Sequence, residues 1–286
     1  MIKGKAQSYQ PTFQLEHKES TRMDLHLQGK NVLITGGSSG IGLAVARKYA
    51  QEGANIAIWA RGAERALSEA ASIEKEFNVQ AKGIPCDVTK MESIEKAMEE
   101  SLAFFGGIDI LINNAGTGSE ETVMEASDEK WQYYWDLHVM AAIRTSRLAV
   151  PSMKKRGGGV IIQTASICAK QPLWYEPIYN TTKAALVMFG KCLANELISE
   201  GIRVVTISPG LVLTPDWWKT AGILSEKEGI TAKEYLDGIA HKNAPIDRFA
   251  SPEEIAEFYA FIGSEKASYC VGSNYSIDGG WLAVID

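Results

Sequence analysis

From Met23 onward, short apolar runs alternate with longer amphipathic stretches, and this rhythm restricts the fold more than any other feature of the chain. The apolar runs at Val32–Ile34, Ile56–Trp59, Ile84, Ile108–Ile112, Val160–Ile162, Val204–Ile207 and Tyr275–Ile277 mark seven strand candidates. Between them lie helical patterns over Ile41–Gln51, Glu64–Glu76, Met91–Phe105, Glu129–Lys154, Ile178–Leu197 and Glu253–Ile262, the fourth reading as one unbroken helix. Strands that alternate with helices pair in parallel, because each helix serves as the crossover that returns the chain to the same end of the sheet. The expected fold is therefore α/β: a doubly wound, mostly parallel seven-stranded sheet with helices on both faces. Residues 23–286 read as a single domain, and residues 1–22, polar and without periodicity, as a flexible N-terminal arm.

One segment departs from the rhythm. Residues 215–247 stand where a short connection would serve, yet carry Trp217, Trp218, Ile223, Tyr235 and Leu236 among polar residues. A long insertion with this apolar content reads as a small helical flap over a site, with an oligomer contact as the alternative.

The formal net charge of −6 gives no broad attraction to nucleic acid or to an anionic membrane. No stretch approaches the ~20 continuous apolar residues that span a bilayer, and the first residues lack the apolar core of a signal peptide. The four cysteines, Cys86, Cys168, Cys192 and Cys270, form no C-x-x-C pair and no cluster with histidine at metal-ligand spacing. The expectation is a cytoplasmic protein with reduced thiols and no metal.

After the first strand comes Thr35-Gly36-Gly37-Ser38-Ser39-Gly40-Ile41-Gly42, and then a helix. Glycines there allow a tight turn and a close approach of backbone to a pyrophosphate, which the free amides and positive dipole end of the helix would hold. No Lys-Ser/Thr pair follows the last glycine, which argues against a nucleoside-triphosphate loop.

Further motifs follow in order: Asn113-Asn114-Ala115-Gly116 at the end of the fourth strand, Ser166 after the fifth, and Tyr179-Asn180-Thr181-Thr182-Lys183 thirteen residues later. Pro209-Gly210-Leu211-Val212-Leu213-Thr214 comes after the sixth strand and Asp278-Gly279-Gly280 near the end. With these motifs the chain resembles the short-chain dehydrogenase/reductase family over about residues 24–286. The resemblance implies a Rossmann-type fold, an oxidoreductase that interconverts a carbonyl and an alcohol by hydride transfer, and assembly as a homotetramer. It also implies a nicotinamide cofactor held by Gly36, Ser38, Ser39, Gly40, Ile41, Gly42, Asp87, Val88, Asn114, Ala115, Gly116, Tyr179, Lys183, Pro209, Gly210, Val212 and Thr214. Thr89, after Asp87-Val88, reads alternatively as a helix N-cap.

The second strand ends Ala60-Arg61. An acid there would bind the ribose hydroxyls of NAD and repel a 2′-phosphate, whereas a guanidinium pairs with phosphate in two parallel bonds. Arg61 thus points to NADP(H), although Ser39 stands where many NADP-type relatives carry a second basic residue.

Lys183 lies one helical turn beyond Tyr179, so its ammonium would share a helix face with the phenol and favour the phenolate. The family's roles fall on Ser166, which orients the substrate oxygen, on Tyr179, which transfers the proton, and on Lys183, which also binds the nicotinamide ribose. One catalytic position departs from the pattern: seven residues after Trp131, where the family carries a water-holding asparagine, this chain has His138. An imidazole with an ordinary pKa of ~6.5 would keep the hydrogen bonds and add a low-pH inflection to the oxidation rate.

Trp174 and Tyr175, between Ser166 and Tyr179, and Trp217 and Trp218 from the flap suggest an apolar or aromatic small-molecule substrate, with oligomer-contact or core roles as the equal alternative. Glu176 beside them suits a substrate hydroxyl or ammonium. Two other readings stay open: a catalytically silent NADP(H)-binding protein, and a same-fold enzyme with dehydratase or epimerase chemistry.

Overall fold

The computed structural model describes residues 23–173 and 176–284. The expected arm over residues 1–22, and Trp174 and Tyr175, lie outside the described residues. The strands are β1 Asn31–Thr35, β2 Asn55–Ala60, β3 Ala81–Pro85, β4 Ile110–Asn113, β5 Gly159–Thr164, β6 Ile202–Pro209 and β7 Asn274–Ile277. They form one sheet of order β3-β2-β1-β4-β5-β6-β7, and every pairing is parallel, where the sequence had led us to expect a mostly parallel sheet. The helices are α1 Gly40–Gln51, α2 Ala63–Phe77, α3 Met91–Phe105, α4 Asp128–Tyr134, α5 Ala141–Lys155, α6 Pro177–Leu197, α7 Pro215–Glu228, α8 Ala232–Asn243 and α9 Pro252–Gly263.

Two apolar layers flank the sheet because successive strand residues point to opposite faces. In β1, Val32 and Ile34 join Val45 and Tyr49 of α1, Ile73 of α2 and Ile255 and Tyr259 of α9. Leu33, between them, joins Ile94 and Met98 of α3, Met153 of α5 and Leu197 of α6. All five residues of β1 are buried, as expected of a strand covered on both faces. The strand order reverses between β1 and β4. The crevice beyond the carboxyl ends of those two strands is where open α/β sheets receive ligands.

The expected single helix over Glu129–Lys154 is divided. α4 and α5 are separated by a π-helical segment, Trp135–Met140, which buries Leu137, His138 and Val139. A π turn accommodates an extra residue without ending the helix and recurs at functional sites. Within this segment, His138 reaches Thr182 of α6, as described below. Residues 215–247 form a helical pair, α7 and α8, the second opened by a reciprocal Thr231–Glu234 capping box. Among the described residues, no helix is long and apolar enough to cross a membrane.

Candidate active site

The glycine turn closes against the end of β4. Gly36 has φ +67°, and a Cβ there would sit 2.9 Å from Ala115 Cα, so only glycine fits this approach. Thr35 Oγ1 accepts from the amides of Asn114 and Ala115, both at 3.0 Å, and Asn114 Nδ2 donates back to Thr35 O at 3.1 Å and Gly36 O at 3.3 Å. Asn114 is therefore a stitch between the two loops, with its side chain committed to backbone. Ser39 stands at the N-cap of α1 without a side-chain cap bond among the described residues, while Ser38 is buried. The first amides of α1, including those of Ile41 and Gly42, thus face the crevice with no partner inside the helix.

The other end of the crevice is close by. A Cβ on Gly40 would lie 3.3 Å from the Thr214 side chain, which places the start of α7 against the glycine turn. Gly210 donates to Ile277 O at 2.9 Å, and Val212 bridges to Ala250, so the segment after β6 is fixed on both sides. Pro209 closes β6 itself. At the β2 end, Arg61 is exposed and reaches the Tyr133 hydroxyl at 3.3 Å. Asp87 Oδ1 accepts from Thr89 N at 3.0 Å and Thr89 Oγ1 at 2.8 Å, and Lys90, rather than Thr89, is the N-cap of α3. Val88 is buried beside it. A glycine cradle, unpaired helix amides and an exposed guanidinium at the β2 end fit a dinucleotide with a phosphate on its ribose.

Ser166, Tyr179 and Lys183 converge beyond β5. Ser166 follows the strand at the start of a short 3-10 turn, and its hydroxyl accepts from Cys168 N at 3.2 Å. Tyr179 lies in the first turn of α6 and Lys183 one turn on, its Nζ 5.3 Å from the Tyr179 ring centroid. Lys183, 3% exposed, donates to Thr164 O at 2.8 Å. Burial pushes the Tyr179 phenol well up, the neighbouring Cys168 thiol adds to this, and a hydrogen bond from Ser166 opposes it. Burial also pulls the Lys183 ammonium down to about 8. The phenolate is expected to be favoured by Lys183 together with a positive nicotinamide ring; in the protein alone, desolvation favours the protonated phenol.

His138 is buried at 2% exposed, with its ring 5.5 Å from that of Tyr179 and almost perpendicular to it. Its Nδ1 lies 2.8 Å from Thr182 Oγ1, and its Nε2 accepts from Thr117 N at 3.4 Å. Burial first, and the Lys183 charge second, hold its pKa well below the usual histidine value. The low-pH inflection expected of this histidine would therefore fall below the ordinary ~6.5.

Of the residues expected to form an aromatic substrate wall, Trp174 and Tyr175 lie outside the described residues. Trp217 packs edge-to-face on Phe249 at 5.2 Å, and Trp218 is 47% exposed. Glu176, half-buried just before α6, is held up to about 7 by burial, then by Glu121 and Glu120. Reading the sequence missed Thr182, and also Ser119 and Glu121, which bond to the start of α6. These contacts join segments far apart in the chain, and no local spacing announces them.

A family model described as enoyl-(acyl carrier protein) reductase matches residues 36–282. D-beta-hydroxybutyrate dehydrogenase from Cupriavidus necator is 34% identical, over 90% of this chain and 99% of that protein. L-Sorbose reductase from Gluconobacter frateurii, solved with NADPH and L-sorbose, is 55% identical and superposes with a TM-score of 0.91, over 92% of this chain and 100% of the other. A short-chain type dehydrogenase/reductase from Mycobacterium marinum superposes with a TM-score of 0.81 at 32% identity. With the glycine turn, the β4 end and the Ser166–Tyr179–Lys183 group arranged as described, the chain belongs to the short-chain dehydrogenase/reductase family of oxidoreductases.

Proposed function

We propose that this protein is an NADPH-dependent carbonyl reductase whose substrate is a polyhydroxylated ketone of the sorbose type, reduced reversibly to the polyol. The observation that carries the chemistry is the Tyr179 ring lying 5.3 Å from Lys183 Nζ one helical turn on, with Ser166 near enough to act on the phenol. The substrate class rests on the extended likeness to a reductase solved with NADPH and L-sorbose. It is supported by the half-buried carboxyl of Glu176, which suits hydroxyl groups better than an aromatic ring.

In this reading the glycine turn, Ser38, Ser39 and the amides opening α1 hold the pyrophosphate, Arg61 the 2′-phosphate, and Asp87 and Val88 the adenine. Asn114, Ala115, Gly116 and the Pro209–Thr214 segment line the nicotinamide end. The reduced cofactor supplies the hydride. Ser166 orients the carbonyl oxygen through its hydroxyl hydrogen. Tyr179 gives its proton to that oxygen as the alkoxide forms, a transfer that typically contributes ~10²–10⁴-fold. Lys183, anchored on Thr164 O, holds positive charge beside the phenol as it becomes phenolate. Neutral His138 braces the loop after β4 and the turn that bears Tyr179. The α7–α8 pair serves as the substrate flap.

The test is loss of NADPH absorbance with L-sorbose and other ketoses, with an aromatic ketone and with acetoacetate, repeated with NADH. Turnover of a ketose with NADPH supports the reading. Preference for the aromatic ketone would restore the apolar pocket suggested by the tryptophans. Absence of turnover with every carbonyl would point to a binding protein or to dehydratase or epimerase chemistry.

A further inference from the structure

The helix that carries Tyr179 does not cap its own first turn. Among the described residues, the N-cap of α6, Glu176, makes no side-chain cap bond, and Pro177 opens the helix. Proline has no N–H to satisfy, but the next amides do. Both are met from a distant loop. Ile178 N donates to Glu121 Oε1 at 3.3 Å, across 57 residues, and Tyr179 N donates to Ser119 Oγ at 3.3 Å, across 60. Ser119 in turn gives its hydroxyl hydrogen to Glu121 Oε1 at 2.9 Å. Ser119 is 5% exposed and the Glu121 side chain 4%.

The loop itself is held along its length. Thr117 N donates to His138 Nε2, and the Tyr134 hydroxyl donates to Gly118 O at 2.8 Å. Lys130 Nζ donates to Glu120 O at 2.8 Å and lies 2.9 Å from Glu121 Oε2. α4 and the π segment thus fix residues 117–121 from one side, and these residues fix the start of α6 on the other.

We propose that Ser119 and Glu121 are positioning residues for Tyr179, a cap lent by the loop after β4 that sets where the phenol stands beside Ser166, with Lys130 holding Glu121 in place. This rests on the reading of Tyr179 as the proton donor. The bond falls on the amide of Tyr179 itself, so a change in the cap moves the backbone that aims the phenol. Misplacement of a reacting group by about 1 Å can cost ~10²-fold in rate. Charge acts in the same place. The positive end of α6 would favour a phenolate in its first turn, and the Glu121 carboxylate, bonded to the Ile178 amide there, would offset part of that pull and add to the effect of burial. The other groups facing Tyr179 are Ser166 and Cys168 after β5, Glu176, Lys183 on α6, His138 on the π segment and Tyr259 on α9.

The test compares wild type with Ser119→Ala, Ser119→Thr, Glu121→Ala and Glu121→Gln in NADPH-dependent ketone reduction and alcohol oxidation, with NADPH affinity measured by fluorescence titration. The alanine variants are expected to lose about tenfold in kcat, equal to about 1.36 kcal/mol of barrier. NADPH affinity should hold within about twofold, since the lost interaction serves the chemical step. Ser119→Thr, which keeps the hydroxyl, should recover most of the rate. Glu121→Gln keeps an acceptor oxygen and removes the charge, so the acid limb of alcohol oxidation should move to lower pH. The inference is overturned if the alanine variants lower only the Tm while kcat stands, or if NADPH affinity falls in step with kcat. Should the alanine variants fail to fold, the Glu121→Gln profile decides alone, and a profile that overlays wild type overturns the inference. Wild type inactive on every carbonyl would overturn the function and this inference together; active wild type with unchanged variants would overturn only the inference.

Discussion

The His138 ring meets the Thr182 hydroxyl at 2.8 Å, and that hydroxyl already donates its hydrogen to the Tyr179 carbonyl at 3.0 Å. Thr182 can therefore only accept from His138, which requires the proton on Nδ1 and leaves Nε2 free to accept from Thr117 N. The network thus selects one neutral tautomer, and burial with Lys183 nearby keeps the ring neutral.

A stability prediction follows for His138. The unfolded ring titrates near ~6.5 and the folded ring well below it, so on acidification the unfolded chain takes up the proton first. The contribution of the neutral ring is full above about pH 6.5 and is lost as pH falls toward the folded value. Calorimetric Tm should fall more steeply below about pH 6.5 in wild type than in His138→Asn. The kcat profile should show no inflection near ~6.5 that His138→Asn removes. His138→Ala, which removes a buried side chain and leaves the Thr117 amide and the Thr182 hydroxyl oxygen without their partner, should cost about 1–3 kcal/mol.

Arg61→Ala should raise the KM for NADPH by about 10- to 100-fold and leave that for NADH little changed, since a charged hydrogen bond contributes about 1.5–3 kcal/mol. Arg61 is exposed, and its guanidinium reaches a neutral tyrosine hydroxyl, which leaves it open to a phosphate. Initial rates with both cofactors decide this, and a wild type that prefers NADH would overturn it.

The fold was legible in the sequence because burial in a parallel sheet writes itself locally. The apolar runs of β1 to β7 and the amphipathic helices between them each carry their own period. Ser166, Tyr179 and Lys183 were legible through their spacing and their place after a strand. The π segment was not, since residues 129–154 keep a helical pattern throughout, and the contact of its His138 with Thr182 joins it to another helix. Nor were Ser119 and Glu121, whose partners lie 60 and 57 residues away. Trp217 reads as a substrate-wall residue in the sequence, and its packing on Phe249 is a tertiary contact that no local spacing announces.

The homotetramer remains a proposal with a surface to support it. Tyr133, Trp135 and Met188 are 40%, 38% and 65% exposed on α4, the π segment and α6, the stretches expected to pair across two-fold axes. Light scattering at micromolar concentration should give about four chain masses. A monomer would refute this, and Met188→Glu should shift the distribution toward smaller species.

The final prediction concerns Glu176. Its carboxyl stands just ahead of Tyr179 and close to Gly118, where an added Cβ would come 2.7 Å from Oε1. Burial, with Glu121 and Glu120 nearby, holds it up to about 7, so it changes charge near neutral pH. Below that value it is a neutral acid that can donate one hydrogen bond; above it, it is a carboxylate that can accept several. A ketose presents hydroxyl donors, and a carboxylate binds them more strongly than a carboxylic acid does. The KM for L-sorbose should therefore fall as pH rises through about 7, while kcat follows a profile of its own. In Glu176→Gln the KM should be higher and nearly independent of pH across that interval. A ketone without hydroxyl groups should show neither effect with either protein, which separates recognition by Glu176 from a general influence on Tyr179. If the KM for L-sorbose is equally flat in both proteins, Glu176 does not contact the substrate hydroxyls, and its raised pKa reflects burial alone.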